Sequence, residues 1–206
     1  LLLAQRRLTD VDAAGRFLQP SLEHLHDPMR LADMGLAVGR SRAAIAAREH
    51  IAVHGDYDVD GITSTVILFR ALQLLGADVV HFLPDRLKDG YGLRPATIDR
   101  LRASGTSLVI SVDCGIRGAD AALRAKELGV DLIITDHHEP DVELPKAFAI
   151  INPKRHDCAY PDKHLAGVGV ALKLVQALLR AAGREPALPG FLKIAAMGTI
   201  ADVVPL

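Results

Sequence analysis

The run Ile51-Ala52-Val53-His54-Gly55-Asp56-Tyr57-Asp58-Val59-Asp60-Gly61 decides how the chain is read. A short apolar segment ends in one imidazole and three carboxylates within seven residues, and an apolar, helix-like segment over 62–75 follows Gly61. Asp56, Asp58 and Asp60 alternate with Tyr57 and Val59. In an extended segment that spacing turns the three carboxylates to one side. Three anions side by side repel, so the arrangement is costly unless a cation lies between them. The stretch reads as a metal-binding turn at the end of a strand.

The same pattern of strand, turn and helix repeats downstream. Strands are expected over 51–54, 77–83, 108–112, 130–135 and 147–151, and helices over 62–75, 95–103 and 119–128. Pro95 suits a first helical position and Gly129 closes a helix. Short continuous apolar runs alternating with helices imply an α/β fold, a mostly parallel five-stranded sheet flanked by helices. Residues 1–48 read as an N-terminal helical segment that covers the sheet, interrupted at Pro20 and Pro28. Residues 49–206 form the α/β domain. After Pro153 come a polar loop and two further helices, over 168–182 and 188–197.

Three of these strands end alike. The first runs into Asp56, the run over 108–112 into Asp113-Cys114-Gly115, and the run over 132–135 into Asp136-His137-His138. Ligands of open parallel sheets bind at the carboxyl ends of the strands. The fold therefore gathers Asp58, Asp60, Asp113, Asp136, His137 and His138 at one edge. A single aspartate after a strand is an ordinary helix cap. Three such strand ends, two of them with extra ligand-type residues, are not explained as caps.

Composition narrows the chemistry. Half of the 206 residues are hydrophobic but only 4% are aromatic and Trp is absent, so the core is aliphatic. Lys+Arg 24 against Asp+Glu 25 leaves a net charge of −1, no global footprint for nucleic acid, although a local basic groove fits within that total. Cys114 and Cys158 lack zinc-site spacing. With no leader-like start they point to a reducing, cytoplasmic setting. No apolar run reaches the length of a membrane span. The chain opens at Leu1 and stops at Leu206, and is expected to be a piece of a longer protein.

Carboxylates with a few imidazoles suit Mn²⁺ or Mg²⁺, and the imidazoles favour Mn²⁺. Two ions about 3.5–4 Å apart, bridged by a shared aspartate, would use all these ligands. The reaction expected of such a pair is hydrolysis of a phosphoester or phosphoanhydride. Within Asp136-His137-His138, one histidine can face the metals while its neighbour contacts phosphate or protonates a leaving group.

His54-Gly55-Asp56-Tyr57-Asp58-Val59-Asp60-Gly61, Val112-Asp113-Cys114-Gly115, Asp136-His137-His138 and Gly198-Thr199-Ile200-Ala201-Asp202 resemble the four motifs of the DHH phosphoesterase superfamily. The stretches 85–93, Ile151-Asn152-Pro153-Lys154-Arg155, 165–173 and Leu25-His26-Asp27-Pro28 resemble its RecJ-type branch, single-stranded-DNA-specific 5′→3′ exonucleases of repair and recombination. The resemblance implies two divalent ions, Mn²⁺ or Mg²⁺. Asp58 and Asp60 would each favour a different ion and Asp113 would bridge both. His137 and Asp202 would complete one shell, and His54 and Asp56 compete for a lesser ligand role. His138 would contact the scissile phosphate or protonate the leaving group, and Asp136 would orient His137. Full-length RecJ-type enzymes carry a second domain and an oligonucleotide-binding fold after this one. The chain alone is thus expected to bind metal but to degrade DNA weakly.

For single-stranded DNA the candidate contacts are Arg86, Tyr91, Lys154, Arg155, Gly167, Gly169 and Lys173. Basic side chains would track the phosphates. Tyr91 either stacks on a base or packs locally. Gly167 and Gly169 either open a phosphate-binding helix start or permit close packing. Other repair and recombination proteins are candidate partners. Two alternatives stand beside the exonuclease: a DHH phosphoesterase for short oligonucleotides or cyclic dinucleotides, and a non-catalytic replication scaffold. The scaffold requires degenerate motifs, whereas every ligand position here holds a competent residue.

Overall fold

The computed structural model describes residues 2–5, 8–85, 90 and 92–205. Two short helices, α1 (Leu2–Gln5) and α2 (Val11–Leu18), precede 3-10 turns at Leu22–His24 and Pro28–Arg30. Helix α3 (Met34–Ala47) leads into β1 (His50–His54), α4 (Val59–Leu74), β2 (Asp78–Phe82), α5 (Pro95–Ala103) and β3 (Leu108–Val112). Then follow α6 (Ala119–Glu127), β4 (Asp131–Thr135), β5 (Ala149–Ile151), α7 (Gly167–Ala181) and α8 (Leu192–Ala201).

The five strands form one parallel sheet in the order β2-β1-β3-β4-β5. The α/β class holds, and the sheet is parallel throughout among the described residues. Side chains alternate between two apolar layers, as the two-residue period of a strand requires. Ile51, Val53, Leu108, Ile110, Val112, Ile133, Ala149 and Ile151 face α3, α4 and α7. Ala52, Val109, Leu132, Ile134 and Ile150 face α5 and α6. Because both faces are covered, the inner strands read as unbroken apolar runs rather than as alternating ones.

Helix α3 belongs to the first layer through Met34, Ala37, Val38 and Ala44. Just before it, Asp33 accepts the Ile150 N–H at 3.0 Å and the Arg155 guanidinium at 2.7 Å. An edge strand leaves backbone groups unpaired, and Asp33 satisfies one of them on β5. The helix expected over 188–197 begins later than the sequence suggests. Residues Glu185–Phe191 form a 3-10 segment, and the α-helix starts at Leu192. Pro189 offers no backbone donor and would clash with the preceding turn of an α-helix. No helix among the described residues is long and apolar enough to cross a membrane.

Candidate metal centre

The strand order places β1 beside both β2 and β3, so the crossovers diverge between β1 and β3. A crevice opens above such a switch point, and here the β1–α4 turn meets Asp113. Asp58 caps α4, its carboxylate accepting the Gly61 N–H at 2.9 Å. That cap turns the chain from strand to helix and leaves Asp56 on the turn and Asp60 in the first helical turn. Asp113 follows β3 directly, with φ of 60°, and donates its N–H to Thr135 O at 2.9 Å. A left-handed backbone at a residue other than glycine costs of order 1–3 kcal/mol and persists only where surroundings impose it. Asp202 ends α8.

Three overlapping groups result: Asp56 with Asp58 and Asp113, Asp60 with His137 and Asp202, and Asp113 with His137 and His138, each with ligand atoms within 4.8 Å of one another. Asp113 and His137 are shared. His137 Nε2 lies 3.2 Å from Asp113 Oδ1 and 3.8 Å from Asp60 Oδ2, and its Nδ1 lies 3.8 Å from Asp202 Oδ2. Asp60, Asp113 and His137 are buried.

Crowding and burial set the charges. Desolvation, reinforced by Asp60, Asp58 and Asp136, pushes the Asp113 carboxyl up to about 10. Burial likewise raises Asp56 and Asp60. Burial lowers His137, with the neighbouring His138 adding to the effect. Asp113 Oδ1 and His137 Nε2 are buried without a hydrogen-bond partner. Buried polar atoms are nearly always paired, so two orphans pointing into one anionic cluster fit a cation. Carboxylates with one imidazole suit Mn²⁺ or Mg²⁺.

Asp60 is held rigidly. Its two oxygens accept the Gly167 N–H at 2.6 Å and the Val168 N–H at 2.8 Å, the first amides of α7. A carboxylate at a helix N-terminus is favoured by both the free donors and the macrodipole. The two readings of Gly167 are thereby separated: the anion at this helix start is Asp60, and a Cβ on Gly167 would overlap Asp113 Oδ1. Gly198 serves the same site from α8, since a Cβ there would press on Thr63 Oγ1 and come within 3.1 Å of Asp60 Oδ1. Gly169 packs against Leu165.

Asp136 holds the ring of His138, and from His137, the partner expected, it takes only the backbone N–H. Its Oδ1 lies 2.8 Å from His138 Nδ1 and accepts the His138 and His137 N–H groups at 3.1 and 2.7 Å, while Oδ2 accepts the Ile116 N–H at 2.9 Å. The hydrogen bond to Asp136 raises His138 to about 9. Burial alone would raise Asp136, but its bond to His138 and the backbone donors outweigh that and lower it. A cavity of about 350 Å³ adjoins this pair, lined in part by Arg94, Cys114, Gly115 and Arg117.

Other expected site residues lie elsewhere. The His54 ring is buried, 3.5 Å from Cys114 Sγ through Nδ1 and stacked on Phe82, and belongs to none of the three groups. Arg155 is corrected: it is buried and committed to Asp157, Asp33 and the Ile150 carbonyl, so it braces its own loop. Lys173 is also corrected: it points at the N-terminal segment, donating to His26 O at 2.8 Å and Gln176 Oε1 at 3.0 Å. Lys154 stays near the site, 3.3 Å from Glu139. Arg86 and Tyr91 lie outside the described residues. Asp202 carried a signal that composition and pattern did not use: a carboxylate at a helix C-terminus opposes the macrodipole. Asn152, quoted only within a motif, turns out to contact the His138 backbone.

Residues 50–199 match the model of the DHH family, N-terminal domain. The chain belongs to the DHH family. Its relatives are RecJ-type. It is 46% identical to the single-stranded-DNA-specific exonuclease RecJ of Bacillus subtilis over 205 residues, all of this chain and 25% of that protein. A crystal structure of exonuclease RecJ bound to manganese superimposes with a TM-score of 0.78 at 39% identity, over 85% of this chain and 44% of that one. RecJ of Thermus thermophilus in complex with Mn²⁺ gives 0.80 at 33% identity, over 99% of this chain and 28% of that one. The chain thus spans between a quarter and a half of the length of these three relatives.

Proposed function

We propose that this chain is the metal-bearing hydrolytic part of an exonuclease that degrades single-stranded DNA from its 5′ end, in repair and recombination. The observation that carries the proposal is the pair of buried, partnerless atoms, Asp113 Oδ1 and His137 Nε2, facing each other across a carboxylate cluster. The RecJ relatives, two of them solved with manganese, support the metal and the substrate.

Asp56, Asp58 and Asp113 would hold one divalent ion, and Asp60, His137 and Asp202, again with Asp113, the other. Such a pair supplies an activated water and charge stabilisation at the phosphate. The rest falls to the protein. The α7 amides fix Asp60, so the ligand set is in place before substrate arrives. Asp136 grips His138 through Nδ1, which leaves Nε2 as the nitrogen for substrate. A histidine so held would give its proton to the departing oxygen. The adjoining cavity, with Arg94 and Arg117 at its rim, suits the nucleotide beside the cut, and Lys154 a neighbouring phosphate.

The test uses the intact protein, a 5′-labelled single strand and its duplex, with Mn²⁺ titrated in. Metal-dependent release of mononucleotides from the single strand is expected, with the duplex spared. Preferential cleavage of dinucleotides over long strands would favour the short-substrate reading. No Mn²⁺ binding by calorimetry would favour the scaffold.

A further inference from the structure

We propose that Asn152 is a positioning residue for catalysis, acting through the main chain of His138; this rests on the phosphodiesterase reading above. Asn152 follows β5 and is fully buried. Its Oδ1 accepts the Lys154 N–H at 2.8 Å, and its Nδ2 donates to His138 O at 2.9 Å. The first bond fixes which way the amide faces, because a backbone N–H can only meet the oxygen. The second bond then spans from the end of β5 to the histidine after β4, fourteen residues earlier.

His138 is thus held at both ends of its main chain. Asp136 takes its N–H and its ring, and Asn152 takes its carbonyl. The platform beneath is stiff. The Asp136 N–H donates to Ile151 O at 3.0 Å, Arg155 clamps Asp157, Asp33 and Ile150 O, and Lys163 caps Pro153 O and Cys158 O. Releasing the carbonyl lets the His138–Glu139 peptide rotate, and the backbone shift this brings at His138 swings the imidazole off the scissile bond. Groups that orient a metal site from outside its ligand set typically matter by about 10–100-fold.

Asn152→Asp keeps the shape and the acceptor for Lys154 but sets an oxygen against the His138 carbonyl. Asn152→Ala reads the same contact should the buried carboxylate impair folding. In the intact protein, kcat on a single-stranded oligonucleotide should fall about 10–100-fold, with KM and Mn²⁺ affinity unchanged. On the p-nitrophenyl ester of thymidine 5′-monophosphate the leaving group departs without a proton, so the deficit of both Asn152 variants and of His138→Ala should largely vanish. Adding Asn152→Asp to His138→Ala should cost nothing further. Imidazole NMR of the metal-free protein should show the His138 ring signals shifted in both Asn152 variants. Equal deficits on both substrates, a matching loss of Mn²⁺ affinity, or unmoved His138 signals would overturn the proposal. A wild type that cleaves neither substrate with Mn²⁺ would overturn the phosphodiesterase reading instead, and the NMR result would still decide whether Asn152 positions His138.

Discussion

The two edges of the sheet handle charge in opposite ways. At the amino edge, where β1 and β4 begin, opposite charges meet. Arg40 reaches Glu49 and Asp131 at 2.6 Å each, Ser107 donates to Glu49 at 2.5 Å, and His50 lies 3.0 Å from Asp78. The hydrogen bonds from Arg40 and Ser107 hold the Glu49 carboxyl below its usual value. At the carboxyl edge of the same strands, five aspartates and two histidines crowd into three overlapping groups, with Asp60, Asp113 and Asp202 against His137, and Asp113 is pushed up to about 10. One edge is arranged as stability alone would arrange it. The other keeps its anions crowded, its polar atoms orphaned and one aspartate in a left-handed backbone. Local conflict of that kind, in a fold otherwise consistent, marks where function was kept at the expense of stability.

The largest test of this contrast removes the shared ligand. Asp113→Ala should lower the proposed exonuclease activity by roughly 10³-fold or more, since a metal pair would contribute several kcal/mol of charge stabilisation. Steady-state kinetics in Mn²⁺, with calorimetry to show the lost binding, would check it. At the other edge, Arg40→Ala should leave kcat and Mn²⁺ affinity alone but destabilise the protein by about 2–3 kcal/mol, because it strips charge-assisted bonds from two carboxylates. Urea unfolding reads that loss. A drop in activity beyond the unfolded fraction would mean the edges are not independent. Smaller again, Asp113→Asn should stabilise the metal-free protein by about 1–2 kcal/mol. Asparagine escapes the cost that burial and the neighbouring aspartates put on ionising this carboxyl, and it tolerates the left-handed backbone. Thermal melts without and with Mn²⁺ should show a higher midpoint for the variant in the first case and a lost metal-induced rise in the second.

The sequence made the strands and their chemistry legible, and the limits of that legibility are physical. A strand buried on both faces leaves an unbroken apolar run, so β1, β3 and β4 and the aspartates after them stood out. Which anion a helix start receives is a tertiary fact. Gly167 and Val168 could have held phosphate by pattern alone, and only the approach of α4 to α7 hands them Asp60. Arg155 looked like a phosphate contact because its partner Asp33 lies 122 residues away. Lys173 looked the same, sitting in a glycine-led helix, until α7 proved buried against the N-terminal segment. Asp202 was reached through resemblance to a motif, since nothing in an apolar helix end announces a ligand. The partner of Asp136 was misassigned between adjacent histidines, a choice that rotamers make and spacing does not.

Lys173 offers the finest test of the contrast, because it is a buried cation that faces the N-terminal segment. Its ammonium is held by a carbonyl and an amide rather than by a carboxylate, and lies 5.8 Å above the Tyr160 ring. Burial depresses it to about 8 from an ordinary 10.5. Below pH 8 the lysine is charged both folded and unfolded, and the fold bears the full cost of burying that charge. Between pH 8 and 10.5 the unfolded chain binds more protons than the folded one, so stability rises with pH across that window. The exposed segment over 21–27 can open locally and readmit water, which limits the rise to about 1 kcal/mol. Lys173→Met carries no charge to bury. The difference in unfolding free energy between wild type and Lys173→Met should therefore grow in favour of wild type from pH 8 to 10.5 and stay level below pH 8. A flat difference across the window would show that Lys173 is solvated in the fold. Unneutralised buried charge would then be confined to the carboxyl edge, where the proposed metal pair would resolve it.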